Sequence, residues 1–201
     1  MSTLATVTTA NSLLASAAAV LAAIIAYLKR HPIKAAVRKV KPARGTFHMG
    51  DAVNAARLPK KLPAYAGYVN GRFRSFPFIK GLFPKARLLG IAVSADVLAG
   101  VLDIETGDAG PQDAGPYVLR CLEHGIPARL YMARSTIPAV LANLRAHNIP
   151  RKAVMFWIAH PDDQPHICTP ARCGTPITAD ATQYLFAGGY DESLCKGYFL
   201  P

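Results

Sequence analysis

The stretch "AGVLDIETGDAGPQDAGPYVLRCLEHGIPARLYMA", residues 99–133, decides how the chain is read. It holds an apolar run, two carboxylates two residues apart, a turn rich in glycine and proline, an apolar-patterned segment closed by Gly125, and a second apolar run. Short continuous apolar runs bounded by turn residues are the pattern of strands covered on both faces. The segment 111–125 between them reads as a helix that glycine stops. Strand, helix and strand in that order form the unit from which parallel sheets are built.

The same alternation extends in both directions. Strands are predicted at 45–52, 64–71, 86–95, 99–105, 127–133 and 153–160, with late, short ones at 180–186 and 190–194. Helical segments are predicted at 76–84, 111–125 and 137–148. The expected fold class is α/β, a small (β/α)8-type, TIM-like barrel over residues 46–201, with a doubly wound open sheet as second choice. About 155 residues is well below the usual barrel length of roughly 250, so several helices must be very short.

Ahead of the barrel the composition changes. The first 28 residues carry no charged side chain, and "LLASAAAVLAAIIAYL" (13–28) is almost wholly apolar. An apolar helix is expected over 1–30, followed by a basic, proline-containing linker over 31–45 that Pro32 and Pro42 keep from continuing the helix. Sixteen helical residues rise only about 24 Å against a hydrocarbon core of about 30 Å, so a membrane anchor over 7–28 needs the weakly polar residues before Leu13. A packing helix and a cleaved signal are the other readings. The positive flank follows the apolar run, which favours keeping the C-terminal side in the cytoplasm.

The formal net charge of +11 is concentrated in this front part. Residues 1–95 hold 15 Lys and Arg and one acid (+14), and residues 96–201 hold 8 Lys and Arg and 11 acids (−3). Clustered cations suit anionic lipid, cell-wall polymer or nucleic acid. No basic motif interleaved with aromatics and no zinc-finger spacing supports a nucleic-acid reader.

In a barrel, chemistry collects at the C-terminal ends of the strands. The polar residues predicted there are Asp51, Asn70, Ser94, Asp103 with Glu105, Tyr131, His160, Gln183 and Asp191. Residues i and i+2 of a strand share a face, so Asp103 and Glu105 point together and Ile104 points to the helices. Their spacing of about 6.5–7 Å falls between the separations of retaining and inverting glycosidases. Such a pair does acid/base chemistry only where the environment splits the two pKa values, and Tyr131 and Trp157 are candidate walls. Asp108 is a third acid in the same loop, so a divalent cation is another reading of this cluster.

The ordered set "LDIETGD", "LYMARS", "FWIAH", "TQY" and "YDES" resembles glycoside hydrolase family 25 muramidases, and "FHMGDAV", "YAGYVNGRF", "FPKAR", "GIAVSA", "LDIETGDAGP", "WIAHP", "HICTPARCG" and "DESLC" carry a second resemblance. This second, closer resemblance is to the glycoside-hydrolase-like barrel proteins of high-GC bacteria and their phages. The resemblance implies that Glu105 protonates a glycosidic oxygen and Asp103 orients or stabilises the sugar. Asp51 and Asp191 then match the other active-site carboxylates, and Tyr131, Trp157 and Gln183 match sugar contacts. Asn70 and His160 are further candidate contacts from their strand ends. Three positions depart from the pattern: Thr182 stands where Trp precedes Gln, and Glu192 and Ser193 follow Asp191 in place of an apolar residue and Asn or Asp.

The implied function is that of a peptidoglycan-directed, lysozyme-like glycosidase. The alternative is a catalytically inactive glycan-binding or phage structural barrel, attached to a membrane or virion through residues 1–44. The expected partner is peptidoglycan or a related glycan, with no cofactor. The expected location is the cell envelope, the exterior or a virion.

Cys168 and Cys173 flank "TPAR" closely enough for a small-loop disulfide. Free thiols and a zinc site with His166 are the alternatives, and for zinc the sequence offers no clear fourth ligand. The disulfide is preferred and no metal is assigned. It implies an oxidising destination, in conflict with the cytoplasmic orientation suggested by the positive flank. Cys121 is read as a buried thiol.

Overall fold

A computed structural model describes residues 45–200. The expected apolar helix over 1–30 and the basic linker, save Gly45, lie outside the described residues. Within them, no helix is long and apolar enough to cross a membrane.

Eight strands close into a barrel in sequence order: β1 (Thr46–Asp51), β2 (Ala64–Tyr68), β3 (Arg87–Ala92), β4 (Val101–Ile104), β5 (Ala128–Ala133), β6 (Val154–Ala159), β7 (Ala181–Phe186) and β8 (Asp191–Lys196). The α-helices are α1 (Phe76–Leu82), α2 (Ala114–Glu123), α3 (Ile137–Ala146) and the single turn α4 (Pro170–Cys173). Pro77, Pro138 and Pro170 each stand in a first helical turn, where a missing N–H costs no hydrogen bond. Helix α2 ends where Gly125 takes a left-handed backbone (φ +66°) and Ile126 N–H bonds back to the Cys121 carbonyl at 2.8 Å.

The alternation seen in the sequence sorts two layers. Met49, Ala66, Leu89, Ile91, Val101, Tyr131, Trp157 and Cys195 fill the barrel interior. Leu102, Ile104, Leu130, Met132, Phe156 and Ile158 face outward onto Tyr117, Val118, Val140 and Leu144 of α2 and α3. Each fully buried Leu, Ile, Val or Phe in these layers contributes about 1.5–3 kcal/mol. The foot of the barrel is closed by the C-terminal Phe199 and Leu200, which pack into the interior cluster.

The expectation of a regular (β/α)8 barrel is corrected at its end. Strands β1 to β7 are parallel, whereas β8 is antiparallel to both β7 and β1. Only four residues separate β7 from β8, and a parallel return needs a crossover of about a dozen or more. Gly188 (φ +54°) and Gly189 (φ +132°) turn the chain back, with Ala187 N–H bonded to the Tyr190 carbonyl at 2.9 Å. A Gly-Gly pair between two strands is a hairpin signal, and here it replaces the last helix of a regular barrel. The β3–β4 connection also lacks a helix.

Candidate functional site

The carboxylates come together because of strand ends, register and one bulge. Asp51 closes β1, and the antiparallel register sets it directly opposite Asp191. Asp191 therefore opens its strand rather than ending it, and the reversal of β8 is what returns it to the mouth formed by the C-terminal ends of the other strands. Asp103 sits one residue before the end of β4, with its side chain inward like Val101, while Ile104 faces the helices as alternation requires. Glu105 follows β4 and is exposed at the rim.

Asp103, Tyr131, Trp157 and Ala181 are paired in one row across β4 to β7. Gln183 stands two residues further along β7, buried and inward. Beyond it the β7–β8 register slips, leaving Tyr184 as the extra residue between the Gln183–Ser193 and Leu185–Glu192 pairs. The slip switches the alternation, so Phe186 rather than Leu185 lines the mouth.

These side chains enclose a cavity of about 170 Å³. Its acids are Asp51, Asp103, Glu105 and Asp191, and its walls include Tyr68, Ile91, Tyr131 and Trp157. The Tyr68 hydroxyl donates to Asp103 Oδ2 at 3.3 Å, and the Tyr131 hydroxyl donates to Gln183 Oε1. Trp157 Nε1–H donates to Ser193 Oγ at 2.9 Å, and its indole meets the Tyr131 ring edge to face at 4.7 Å. Asp51 is 5% exposed and Asp103 1%. Among the described residues, Asp51 Oδ2 and Asp103 Oδ1 are the buried side-chain oxygens and nitrogens without a hydrogen-bond partner.

Burial and like charge raise every acid at the mouth, by different amounts. Burial first, then Glu105 and Asp108, push Asp103 up to about 8, against the opposing pull of the Tyr68 hydroxyl. Burial and then Asp191, Asp103 and Glu105 hold Asp51 well above the usual carboxylate range. Asp191, more open, is raised to about 6 by burial and Glu105. Glu105 is raised by burial and Asp108, with the Tyr131 hydroxyl acting the other way. Asp103 is thus raised further than Asp191, a separation of proton affinities on which acid/base chemistry can draw. Burial and the surrounding acids also raise Tyr68 and Tyr131, which stay neutral donors.

Three residues expected at the strand ends, Asn70, Ser94 and His160, do not line the cavity. Asn70 lies beyond β2, where its Oδ1 accepts from Val93 N–H at 3.0 Å and its Nδ2 donates to Ser94 Oγ at 2.9 Å. His160 turns instead toward the β6–β7 connection, its ring perpendicular to that of His166 at 5.3 Å between centroids. Tyr68 was missed, although it stands two residues after Ala66 on the inward face of a strand. Phe186 was missed because a bulge leaves no signature in the alternation.

A disulfide joins Cys168 and Cys173, while Cys121 and Cys195 are buried free thiols. Among the described residues, His160, His166, Cys168 and Cys173 form the one group of His, Cys, Asp or Glu whose ligand atoms lie close enough to share a metal ion. The cation reading of Asp103, Glu105 and Asp108 therefore lacks that geometry. No protein-family model matches the chain, and no curated protein or solved structure is significantly similar to it.

Proposed function

We propose that the barrel mouth is a glycosidase-type site that acts on peptidoglycan or a related glycan. The observation that carries this reading is the convergence of Asp51, Asp103, Glu105 and Asp191 on one cavity whose burial sets their proton affinities apart. The ordered motifs shared with family 25 muramidases and with the smaller glycoside-hydrolase-like barrels support it.

In this proposal Glu105 is the proton donor. It is the acid on the rim, where a leaving glycosidic oxygen can reach it, and its raised pKa favours the protonated form. Asp103, neutral beneath it, donates a hydrogen bond as a carboxylic acid, as apolar sites allow. Asp191, ionised across the mouth, stabilises the positive charge that builds on the sugar ring or activates water. A cavity of about 170 Å³ is smaller than the roughly 300–1,000 Å³ of an ordinary ligand pocket, so it admits about one pyranose ring and leaves the rest of the polymer outside.

A second reading, glycan binding without turnover on an anchored or particle-borne barrel, is favoured by the state of the aromatic walls. Tyr131 and Trp157 are buried, hydrogen-bonded to Gln183 and Ser193 and packed edge to face on each other, which leaves little ring surface for sugar stacking. Incubating the intact chain with purified, insoluble peptidoglycan separates the two. New reducing ends in the supernatant support hydrolysis, co-sedimentation without them supports binding alone, and neither one, from folded protein, removes both readings.

A further inference from the structure

The connection from β6 to β7 carries a second cluster of reactive side chains, outside the acidic mouth. His160, His166, Cys168 and Cys173 each offer one ligand atom, and these atoms all lie within 4.8 Å of one another. Three of the four are buried: His166 at 3% exposure, Cys168 at 0% and Cys173 at 6%. His166 Nε2 lies 3.2 Å from Cys173 Sγ and 3.5 Å from Cys168 Sγ. Tetrahedral zinc, with Zn–S of about 2.3 Å and Zn–N of about 2.0–2.1 Å, sets sulfur and nitrogen ligands about 3.5 Å apart.

The tautomer of His166 is fixed from behind. Its Nδ1 lies 2.6 Å from the Gln164 carbonyl, which can only accept, so Nδ1 carries the hydrogen. Asp162 Oδ1 lies 3.3 Å from the same nitrogen, and Asp162 Oδ2 lies 3.9 Å from His160 Nε2. In the neutral ring Nε2 is then a buried acceptor facing two sulfurs, and a disulfide has no hydrogen to give it. A carbonyl and a carboxylate behind an imidazole whose other nitrogen is free is the outer shell of a metal-bound histidine.

We propose that reduction turns the Cys168–Cys173 disulfide into a Zn2+ site formed by His160, His166, Cys168 and Cys173. The β6–β7 connection then alternates between a disulfide-bonded and a zinc-bound form. Two electrons and two protons from a dithiol, which closes to its own disulfide, open the Cys168–Cys173 bond to two thiols. Zn2+ displaces both thiol protons and takes two thiolates and two neutral imidazoles, so the charge of the ion is cancelled within a largely buried site. Oxidation by a disulfide of the same class reverses the step and releases the ion.

Both forms hold the same segment to the sheet. Cys168 N–H donates to Thr182 Oγ1 at 2.8 Å and His160 N–H to the Gln183 carbonyl at 2.9 Å, so the clasp lies against the stretch of β7 that carries Gln183 into the mouth. Order in this loop is thereby kept in reducing and oxidising surroundings alike. The conflict between a disulfide and a positive flank then disappears. The proposal does not depend on the chemistry of the mouth.

Cobalt(II) titration of the full chain tests it. After reduction by a phosphine under anaerobic conditions, one equivalent of cobalt should give thiolate-to-metal charge transfer and the visible bands of a tetrahedral site, and one equivalent of zinc should bleach them. The disulfide form should give neither signal. Cys173→Ser should abolish the signal, Asp162→Ala should raise the cobalt Kd by about 10- to 100-fold, and Cys121→Ser with Cys195→Ser should leave it unchanged. Far-ultraviolet circular dichroism of the reduced chain checks that it is folded. Equal cobalt spectra from the reduced chain and Cys173→Ser overturn the proposal. So does a folded reduced chain without the spectrum, or a reduced chain that zinc does not keep folded.

Discussion

At the foot of the barrel, Asp180 and Arg129 are buried as deeply as Asp51 and Asp103 are at its mouth, and the two ends treat their polar groups differently. Asp180 Oδ2 accepts from Phe156 N–H at 2.9 Å and from Arg151 at 3.2 Å, and its Oδ1 accepts from the Tyr198 hydroxyl at 2.7 Å and Lys196 at 3.4 Å. The Arg129 guanidinium, whose pKa burial lowers to about 10, donates to the carbonyls of Phe199, Gly100 and Pro127. At the mouth, Asp51 and Asp103 each leave an oxygen without a partner, and the nearest charges are other acids. Burial is common to both ends, so burial does not mark the site. A saturated carboxylate is part of the scaffold; an unsaturated one costs stability and is chemically poised.

Glu105→Gln bears hardest on this contrast. It keeps the size and rim position of the side chain and removes the proton that the proposed reaction needs. Hydrolysis should fall by about 10²- to 10⁴-fold while the urea midpoint stays within error of wild type. The converse at the foot is Asp180→Ala, which strips four donors of their acceptor at once. We expect a loss of about 3–5 kcal/mol in urea unfolding. A loss below about 1 kcal/mol would show that the partners of Asp180 are dispensable.

Asp103→Asn sharpens the comparison through pH. The folded-state pKa of Asp103 is about 8, above its unfolded value of 3.8. The folded chain thus binds the extra proton between those values, and stability falls as pH rises through that window. Asp51, Glu105 and Asp191 are shifted in the same direction. Wild-type stability should therefore decline from about pH 4 toward pH 8, and Asp103→Asn should flatten that decline, so that the variant gains on wild type toward the alkaline end. An unchanged slope would place Asp103 among ordinary carboxylates. The smallest effect is expected of Asn70→Ala. Loss of its bonds to Val93 and Ser94 should cost about 1–2 kcal/mol of stability and leave hydrolysis nearly unaltered.

Most of the barrel is legible in the sequence because period-two and helical patterns report burial directly. The runs around Leu102, Leu130 and Ile158 and the Gly125 stop show it. The direction of β8 is not legible from those patterns, since a half-buried strand reads the same both ways. Only the brevity of 187–190 and its glycine pair carry that information. At the mouth, Asp51, Asp103, Glu105, Tyr131, Gln183 and Asp191 are brought together as strand-end reasoning places them, with Trp157 as the wall expected beside them. Asp191 arrives there by a reversed strand. Asn70 and His160 stand near strand ends too, but whether an end residue faces inward depends on where pairing stops, and that is set by tertiary register. The placement of His160 beside the cysteines depends on a loop that folds back between residues 160 and 173, which no local spacing encodes.

The central claim, that the acids gathered at the mouth are catalytic, is tested most directly by following new reducing ends released from purified peptidoglycan by the intact chain between about pH 4 and 8. The account predicts release that falls on the alkaline side as Glu105 loses its proton and on the acidic side as Asp191, raised to about 6, gains one, with none above background from Glu105→Gln. Folded wild-type protein that releases nothing at any pH, or a Glu105→Gln profile that overlays the wild type, would contradict it.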